Sequence, residues 1–218
     1  MEVKVLKGIL DANDRIAAEN RRLLDASRTF SLNVMASPGA GKTSLILSTI
    51  ERLRERLGVG VIEGDISSTV DADAVAAKGI PVVQINTGGS CHLDANMIAT
   101  ALSGLPLDDI RLLMVENVGN LVCPAEFGIG EDRKVLVSSV PEGDDKPYKY
   151  PLMFTEVDAV LINKIDLLPY VKFDMRAFTV AVRSMNARAS IIPLSCTTGQ
   201  GLEDWTGWVL QEMAGPRS

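Results

Sequence analysis

The sequence is poor in several residue types that define common protein classes. Its 218 residues include 3 cysteines, 1 histidine and only 5% aromatic residues. Three cysteines in a chain of this length exclude a disulfide-based scaffold and favour a reducing compartment. No apolar run reaches the ~18 residues that a membrane span needs. The first residues also lack the apolar run of a signal peptide. We therefore expect a cytoplasmic protein with no membrane partner.

The chain also lacks a surplus of basic residues. It has 22 Lys and Arg against 28 Asp and Glu, a formal net charge of −6. Proteins that bind nucleic acid or anionic membranes carry the opposite balance, so we expect no nucleic-acid partner. Hydrophobic residues make up 46% and charged residues 23%, as in ordinary globular proteins. At roughly 150 residues per domain, the length predicts one domain with a modest addition.

An amphipathic helix is predicted near the N-terminus, from Val5 to Ala26. Apolar residues recur there at helical spacing, with charged residues on the opposite face. This helix precedes the first predicted strand, so we interpret it as an appendage to the main fold. We divide the chain into an N-terminal helical extension, 1–28, and one main domain, 29–218.

Seven apolar runs with strand character follow, and amphipathic stretches separate most of them. This alternation predicts an α/β fold with a mostly parallel sheet of about seven strands and helices on both faces. Segment 141–151 is rich in proline, glycine and charged residues, which predicts a long mobile loop. The predicted strands are Phe30–Ala36, Val59–Asp65, Pro81–Thr87, Leu112–Val118, Lys134–Val140, Ala159–Asn163 and Ser190–Leu194. The predicted helices are Lys42–Leu57, Val70–Lys78, Cys91–Leu102 and Asp174–Asn186.

A phosphate-binding loop lies between the first predicted strand and the first long helix. The pattern G-x-x-x-x-G-K-[ST] matches residues 36–43, except that Ala36 replaces the first glycine. Glycines let backbone N–H groups point inward at phosphate oxygens, and the start of the helix adds positive potential. Lys42 is expected to bind the β- and γ-phosphates, and Thr43 a magnesium ion. We therefore predict a P-loop NTPase. The candidate nucleotide-binding residues here are Gly39, Ala40, Gly41, Lys42, Thr43 and Ser44.

A second motif, N-K-x-D, indicates that the base is guanine. Asp166 follows the sixth predicted strand, where its carboxylate can accept hydrogen bonds from the ring N–H and the amino group of guanine. Adenine lacks this pair of donors and would leave a buried acceptor unpaired. Asn163 and Lys164 are expected to brace the loop and flank the base. Ser195 and Cys196 begin a loop similar to the S-A-x-x-G-x-G loop of GTPases, whose backbone contacts the base. Cys196 takes the usual place of alanine there, and we interpret its side chain as packing.

The magnesium and γ-phosphate side is predicted from two strand ends. Residues 116–119 resemble the D-x-x-G switch of GTPases, with Glu116 in place of aspartate and Gly119 facing the γ-phosphate. Asp65 ends the second strand at the sheet edge where ligands bind in this architecture. We expect Asp65 and Glu116, together with Thr43, to hold Mg²⁺ or orient water. The candidate catalytic residues are therefore Lys42, Asp65 and Glu116, and the reaction is phosphoryl transfer to water.

The single histidine, His92, stands next to Cys91, and we expect this pair at the start of a helix, where a thiolate is favoured. Cys123 lies four residues beyond Gly119. Thiolate and imidazole ligands suit Zn²⁺, Ni²⁺ or copper rather than Mg²⁺. Spacing alone leaves metal binding and plain packing equally open. Two cysteines and one histidine do not complete a tetrahedral site, so water or a second protomer would supply the remainder.

Together these segments resemble the HypB family, the nickel-insertion GTPases of hydrogenase maturation, along nearly the whole chain. The Cys-His pair followed by a distant Cys-Pro differs from the urease nickel GTPases, whose ligands form one Cys-Pro-His run. Some HypB members carry an N-terminal cysteine-rich nickel site, but no cysteine precedes Cys91 here, so we do not expect nickel storage. The segments that carry the resemblance are 37–43, 63–65, 87–95, 116–124, 142–147 and 163–166.

The resemblance implies GTP hydrolysis coupled to delivery of Ni²⁺ to the precursor of the [NiFe]-hydrogenase large subunit. It implies a homodimer favoured by GTP, with Cys91, His92 and Cys123 holding Ni²⁺ or Zn²⁺ at the dimer interface. It also implies a small nickel-binding accessory protein, HypA-like, as a partner. Lys146, in the predicted mobile loop, is a candidate for contact with the phosphates of the partner protomer, although a solvated lysine is equally expected.

Three alternatives remain at this point. The chain is compatible with a regulatory GTPase whose cysteines and histidine merely pack, with a urease-type nickel GTPase, and with an ATP-dependent enzyme of the same P-loop branch. Asp166 argues against the last. If the cysteines and the histidine bind metal, GTP should order the loop that Gly119 and Cys123 share, and hydrolysis should relax it.

Overall fold

A computed structural model describes residues 7–65 and 69–215, with side chains from residue 11 onward. Within these ranges, seven parallel strands form one sheet in the order β3-β2-β4-β1-β5-β6-β7. The prediction of a mostly parallel α/β sheet of about seven strands is confirmed. The strands are β1 (Phe30–Ala36), β2 (Val59–Asp65), β3 (Val82–Asn86), β4 (Leu112–Glu116), β5 (Arg133–Ser139), β6 (Ala159–Asn163) and β7 (Ser190–Pro193).

Helices cover both faces of this sheet, because alternate strand residues point to opposite sides. In β4, Met114 packs with helices 42–53 and 202–214, whereas Leu113 and Val115 pack with helices 7–26 and 95–102. The prediction of helices on both faces is confirmed. The helices are α1 (Lys7–Ala26), α2 (Lys42–Leu53), α3 (Val70–Ala76), α4 (Ala95–Leu102), α5 (Cys123–Glu126), α6 (Lys146–Lys149), α7 (Pro151–Thr155), α8 (Met175–Met185) and α9 (Leu202–Ala214).

Helix α4 begins later than predicted. The Asp94 side chain accepts a hydrogen bond from Met97 N at 2.8 Å and caps the helix, which starts at Ala95. Cys91 and His92 therefore lie in the loop before the helix. The prediction that they occupy a helix N-terminus is wrong.

Segment 141–151 was predicted as a long mobile loop, and the part of that prediction that made it a loop is wrong. Residues Val140–Glu142 form a 3-10 turn, and α6 and α7 follow. Both Ser139–Glu142 capping contacts are made, and Pro147 is buried. Helix α9 follows β7 and buries Trp205 completely against α2, and it was not predicted from the sequence.

Helix α1 shares the hydrophobic core of the sheet and is bound to it by buried amides. Leu24 is buried with residues of β2, β4 and α4. Asn20 donates hydrogen bonds to the carbonyls of Ala95 at 2.8 Å and Ile129 at 3.1 Å. The first residues of the predicted helix lie outside the described ranges. Among the described residues, no helix is long and apolar enough to cross a membrane.

Candidate functional site

The functional residues predicted from sequence meet at the carboxyl edge of the sheet, where the loops after all seven strands lie. A cavity of about 550 Å³ opens there. The loop after β1, the end of β2 and the loop after β4 line most of it, together with Lys164. At this same edge, Cys91 and His92 lie on the loop after β3, and Cys123 begins α5 directly after the loop that follows β4. The candidate nucleotide and metal residues therefore occupy neighbouring positions.

The loop between β1 and α2 has the backbone that a phosphate cradle requires. Gly39 and Gly41 have φ values of 76° and 102°, a left-handed region that favours glycine. Gly41 is also restricted by space, because a Cβ there would lie 2.4 Å from Asn163 Nδ2. Helix α2 starts at Lys42, so its first N–H groups face the cavity. Thr43 and Ser44 line the same cavity.

The N-K-x-D segment after β6 braces the phosphate loop from the side. Asn163 Nδ2 donates to the Ala40 carbonyl at 2.9 Å, and Lys164 Nζ donates to the Gly39 carbonyl at 2.6 Å. Lys164 adopts a left-handed backbone, φ 61°, which turns the chain sharply after the strand. The sequence predicted that both residues brace this region, and the structure places them against the loop backbone.

Asp166 lies beside the loop after β7. Ser195 Oγ donates to Asp166 Oδ1 at 2.5 Å, which orients the half-buried carboxyl group. Cys196 N donates to Asn163 Oδ1 at 3.4 Å. The Cys196 side chain packs against the core beside α2 and α9, and its burial raises the pKa of the thiol. The structure thus brings together the base-recognition residues predicted from two separate segments.

Carboxylates also gather at the cavity. Glu116 Oε1 accepts a hydrogen bond from Thr43 Oγ1 at 2.9 Å and lies 4.0 Å from Lys42 Nζ. Glu63 and Asp71 join Glu116, with one oxygen of each within 4.8 Å of the others. Glu116 was predicted from the sequence as a magnesium ligand, whereas Glu63 and Asp71 were not. Asp65 lines the cavity but does not belong to this cluster.

The electrostatics of this cluster fit a divalent cation. Burial, followed by the charge of Glu116, raises the pKa of Glu63 well above its usual value. Burial also raises the pKa of Glu116, and the nearby Lys42 ammonium opposes that shift. One oxygen of each glutamate, Oε2, is buried without a hydrogen-bond partner among the described residues. Oxygen ligands of this type beside a threonine hydroxyl suit Mg²⁺.

The structure assembles the second candidate site from distant segments. Cys91 Sγ lies 3.0 Å from Cys123 Sγ and 3.6 Å from His92 Nδ1. The hydrogen bond with Cys91, followed by burial, raises the pKa of the Cys123 thiol. Burial lowers the pKa of His92, whose ring lies 4.1 Å from that of Phe127 and whose neutral form can ligate metal. Two sulfurs and one imidazole thus converge beside the surface.

Two residues of segment 141–151 are also informative. Lys146 lies in α6 with its ammonium 5.9 Å from the centre of the Tyr150 ring, and it is not among the residues that line the cavity of its own protomer. Glu142 accepts hydrogen bonds from Ser37 Oγ of the phosphate loop and from Ser139 Oγ. Segment 141–151 is therefore attached to the phosphate loop, a connection that was not predicted from the sequence.

The fold and this site define a P-loop nucleotide-binding protein. The family profile described as "CobW/HypB/UreG, nucleotide-binding domain" matches residues 31–193. Hydrogenase maturation factor HypB from Escherichia coli strain K12 is 47% identical over 96% of this chain and 71% of that protein. HypB from Azotobacter vinelandii is 49% identical over 95% of this chain and 68% of that protein. The chain belongs to the CobW/HypB/UreG family, among the HypB hydrogenase maturation factors.

Solved structures agree with this assignment. HypB from Helicobacter pylori in complex with nickel has a TM-score of 0.89 and 36% identity, covering 93% of this chain and 95% of that one. HypB from Archaeoglobus fulgidus has a TM-score of 0.88 and 40% identity, covering 94% of this chain and 100% of that one. A LAO/AO transport system kinase, at 16% identity and a TM-score of 0.59, shares the fold alone.

Proposed function

We propose that this protein is a GTPase that hydrolyses GTP to GDP and phosphate and couples this reaction to nickel delivery during [NiFe]-hydrogenase maturation. One observation carries the proposal: Cys91, His92 and Cys123 converge within 4.8 Å at the sheet edge that also forms the nucleotide cavity. The loop that ends at Cys123 includes Gly119, which lines that cavity. Metal and nucleotide are thus proposed to act through one loop.

Guanine recognition is proposed for Asp166. Its carboxylate is fixed by Ser195 and accepts from the ring N–H and amino group of guanine. Two hydrogen bonds support this assignment, because they fix the position of the N-K-x-D segment relative to the phosphate loop. Lys164 donates to the Gly39 carbonyl, and Asn163 donates to the Ala40 carbonyl. We propose that the loop that begins at Ser195 and Cys196 contacts the base, since Ser195 also bonds Asp166 and Cys196 N bonds Asn163.

Hydrolysis is proposed to rely on charge and positioning. Lys42 lies beside Glu116 at the start of α2, where its ammonium can bind the β- and γ-phosphates. Thr43, Glu116, Glu63 and Asp71 would hold Mg²⁺, which neutralises developing phosphate charge when bound. Asp65 remains our candidate for orienting the attacking water or a magnesium-bound water. We propose that Gly119, which lines the cavity, donates its N–H to the γ-phosphate.

The cargo site is proposed to take Ni²⁺, with Zn²⁺ as a competitor. Two thiolates and one imidazole suit both ions. They leave coordination positions for water or for a second protomer. We propose that the protein forms a homodimer favoured by GTP, with this site at the interface.

The proposed protein partners are a nickel-binding accessory protein of HypA type and the hydrogenase large-subunit precursor. The nickel complex of the Helicobacter pylori relative supports nickel as the cargo. A relative from that organism is named hydrogenase/urease maturation factor HypB, which keeps urease as a second recipient. The division into a helical extension, 1–28, and a GTPase domain, 29–218, is retained as a proposal, and cytoplasmic localisation stays a prediction.

The decisive experiment titrates Ni²⁺ and Zn²⁺ into the nucleotide-free, GDP-bound and GTP-analogue-bound protein. We expect metal affinity to differ between the diphosphate and triphosphate states. We expect Cys123→Ala to abolish that difference, because an allosteric coupling, typically about 5- to 150-fold, disappears when one of the two ligands loses its site. The GTP affinity of the metal-free variant should stay within about threefold of the wild-type value, below that range of couplings. Cys196→Ala is the matched control, because this cysteine packs away from the metal site.

Two results would contradict the proposal. Metal affinity that is equal in all three nucleotide states would favour a regulatory GTPase whose cysteines merely pack. Phosphate release as fast with ATP as with GTP would favour an ATP-dependent enzyme of the same branch. Neither outcome depends on knowing the protein that receives the nickel.

A further inference from the structure

The two loops that carry the metal residues are joined by two asparagine side chains. Cys91 and His92 lie on the loop between β3 and α4, and Cys123 follows the loop after β4. Among the described residues, Asn117 and Asn120 both reach from the second loop to the backbone of the first. Their amides therefore set where the Cys91-His92 pair lies relative to Cys123.

Asn117 is the fixed member of this pair. It is fully buried, and its Oδ1 accepts from Leu93 N at 3.0 Å, next to His92. The same oxygen accepts from Val118 N at 2.9 Å, and Nδ2 donates to Asn33 Oδ1 of β1 at 3.1 Å. A buried amide with both ends satisfied is costly to displace. Asn117 thus ties the His92 side of the loop to the sheet.

Asn120 is less enclosed and lies next to the nucleotide-facing Gly119. Its Oδ1 accepts from Val122 N at 2.9 Å, within its own loop, and its Nδ2 donates to the Cys91 carbonyl at 3.2 Å. Gly119 packs directly on the phosphate loop, since a Cβ there would lie 3.0 Å from Pro38. Any displacement of Gly119 by a γ-phosphate therefore reaches Asn120 one residue later.

We propose that Asn120 is the positioning residue through which the nucleotide state at Gly119 is transmitted to Cys91, with Asn117 as the anchor. This inference rests on the proposed coupling of GTP to nickel binding. Because Asn120 contacts Val122 on one side and Cys91 on the other, it couples the positions of both thiols to the same loop. Only a side chain with an acceptor and a donor makes both contacts, which explains the amide.

Two substitutions separate these contacts. Asn120→Asp keeps the acceptor for Val122 N and removes the donor to the Cys91 carbonyl. Asn120→Ala removes both contacts. Asn96→Asp, on the exposed side of α4, makes the same charge change four residues beyond His92 and serves as the control. Thermal unfolding of each variant verifies that it is folded, and a half-buried loop side chain should tolerate both changes.

The measurement is Ni²⁺ affinity, by competition with a chromophoric chelator, in the GDP-bound and GTP-analogue-bound states. The ratio of the two affinities cancels any constant effect of the added charge. We expect Asn120→Asp and Asn120→Ala to bring this ratio within about twofold of one, well below the ~5- to 150-fold range of typical couplings. Asn96→Asp should keep the wild-type ratio. Cobalt absorption spectra should show a nucleotide-dependent thiolate signature in wild type that both Asn120 variants lose.

The possible outcomes distinguish this inference from the proposed function. If the wild type shows a nucleotide-dependent ratio and both Asn120 variants retain it, the inference is overturned and the proposed function stands. If the variants weaken Ni²⁺ binding equally in both states, Asn120 holds Cys91 statically and the transmission is disproved. If the wild-type ratio is one, the proposed coupling fails and this inference fails with it.

Discussion

Base specificity depends on a single carboxylate, that of Asp166. In Asp166→Asn, Oδ1 still accepts from Ser195, but the second carboxylate oxygen becomes an amide donor facing the donors of guanine. We expect the GTP affinity to fall by about 1–3 kcal/mol, roughly 5- to 150-fold. Nucleotide competition with a fluorescent GDP analogue measures this loss.

Xanthosine triphosphate provides the internal control for Asp166→Asn. Xanthine carries an oxygen where guanine carries its amino group, so the new amide should restore a hydrogen bond. We expect the variant to prefer xanthosine triphosphate over GTP. A variant that binds GTP as well as the wild type does, with no gain for xanthosine triphosphate, would remove Asp166 from the base site.

Gly41 combines two restrictions that can be separated by comparison with Gly79. Both glycines have positive φ, 102° and 73°, but a Cβ meets Asn163 Nδ2 at 2.4 Å only at Gly41, while Gly79 has open space. In the nucleotide-free protein, Gly79→Ala should cost only the backbone strain of about 1–2 kcal/mol. Gly41→Ala should add about 1–3 kcal/mol for crowding.

Thermal unfolding tests this difference, since each kcal/mol corresponds to roughly 2–4 °C in a domain of this size. Gly41→Ala should also weaken GTP binding, because Asn163 must leave the Ala40 carbonyl. Equal shifts in Tm for the two variants would show that Asn163 yields without cost and does not brace the loop.

At the scale of elements, α1 is attached to the rest of the fold by a buried amide. Asn20→Ala removes hydrogen bonds to two carbonyls, those of Ala95 and Ile129, that have little access to water. We expect a loss of about 1–3 kcal/mol in the free energy of unfolding. Denaturant unfolding measures it.

Arg22→Ala is the control for Asn20→Ala on the same helix, because Arg22 is exposed and, among the residues that the structure describes, its side chain bonds only the Ala18 carbonyl of α1. We expect its effect to stay within about 0.5 kcal/mol. If Asn20→Ala were as mild as this control, α1 would be an appendage, as the sequence suggested, instead of part of the core.

The strands could be predicted from the sequence better than the helix ends, for a physical reason. Strands buried on both faces are nearly continuous apolar runs, and three of the seven were predicted with the observed bounds. Helix starts depend on local capping, which the apolar pattern does not show. Asp94 caps α4, for example, and sets its start at Ala95. Helix α9 was missed although Leu202, Trp205 and Val209 have helical spacing.

At the scale of the whole molecule, the sequence motifs predicted which loops form the site. The register of the parallel strands determines which further side chains join it. Glu63 lies within an apolar strand, and although segment 63–65 carries part of the family resemblance, only Asp65 was assigned a role there. Glu63 joins the site because the parallel register pairs it with Glu116 across β2 and β4. Asp71 joins only because α3 follows β2 at the same edge. Such long-range pairing cannot be read from one sequence without the strand order.

Assembly of two molecules is the last property that the proposed function requires, and Lys146 and Lys149 of α6 test it. Lys149 forms an ion pair with Asp145 of its own chain, whereas Lys146 lies over Tyr150 and is our candidate for the partner's phosphates. Sedimentation velocity should show more dimer with a GTP analogue than with GDP. Lys146→Ala should weaken the analogue-bound dimer by about 5- to 30-fold, the 1–2 kcal/mol of a partly desolvated charge contact, and leave the GDP state unchanged.

Lys149→Ala is the control and should have little effect on dimerisation in either nucleotide state. Either substitution changes the formal net charge from −6 to −7, and salt screens both the repulsion between protomers and the proposed Lys146 contact, so the comparison is made at one ionic strength. Equal dimer constants for the two variants in the analogue-bound state would exclude a contact of Lys146 with the partner.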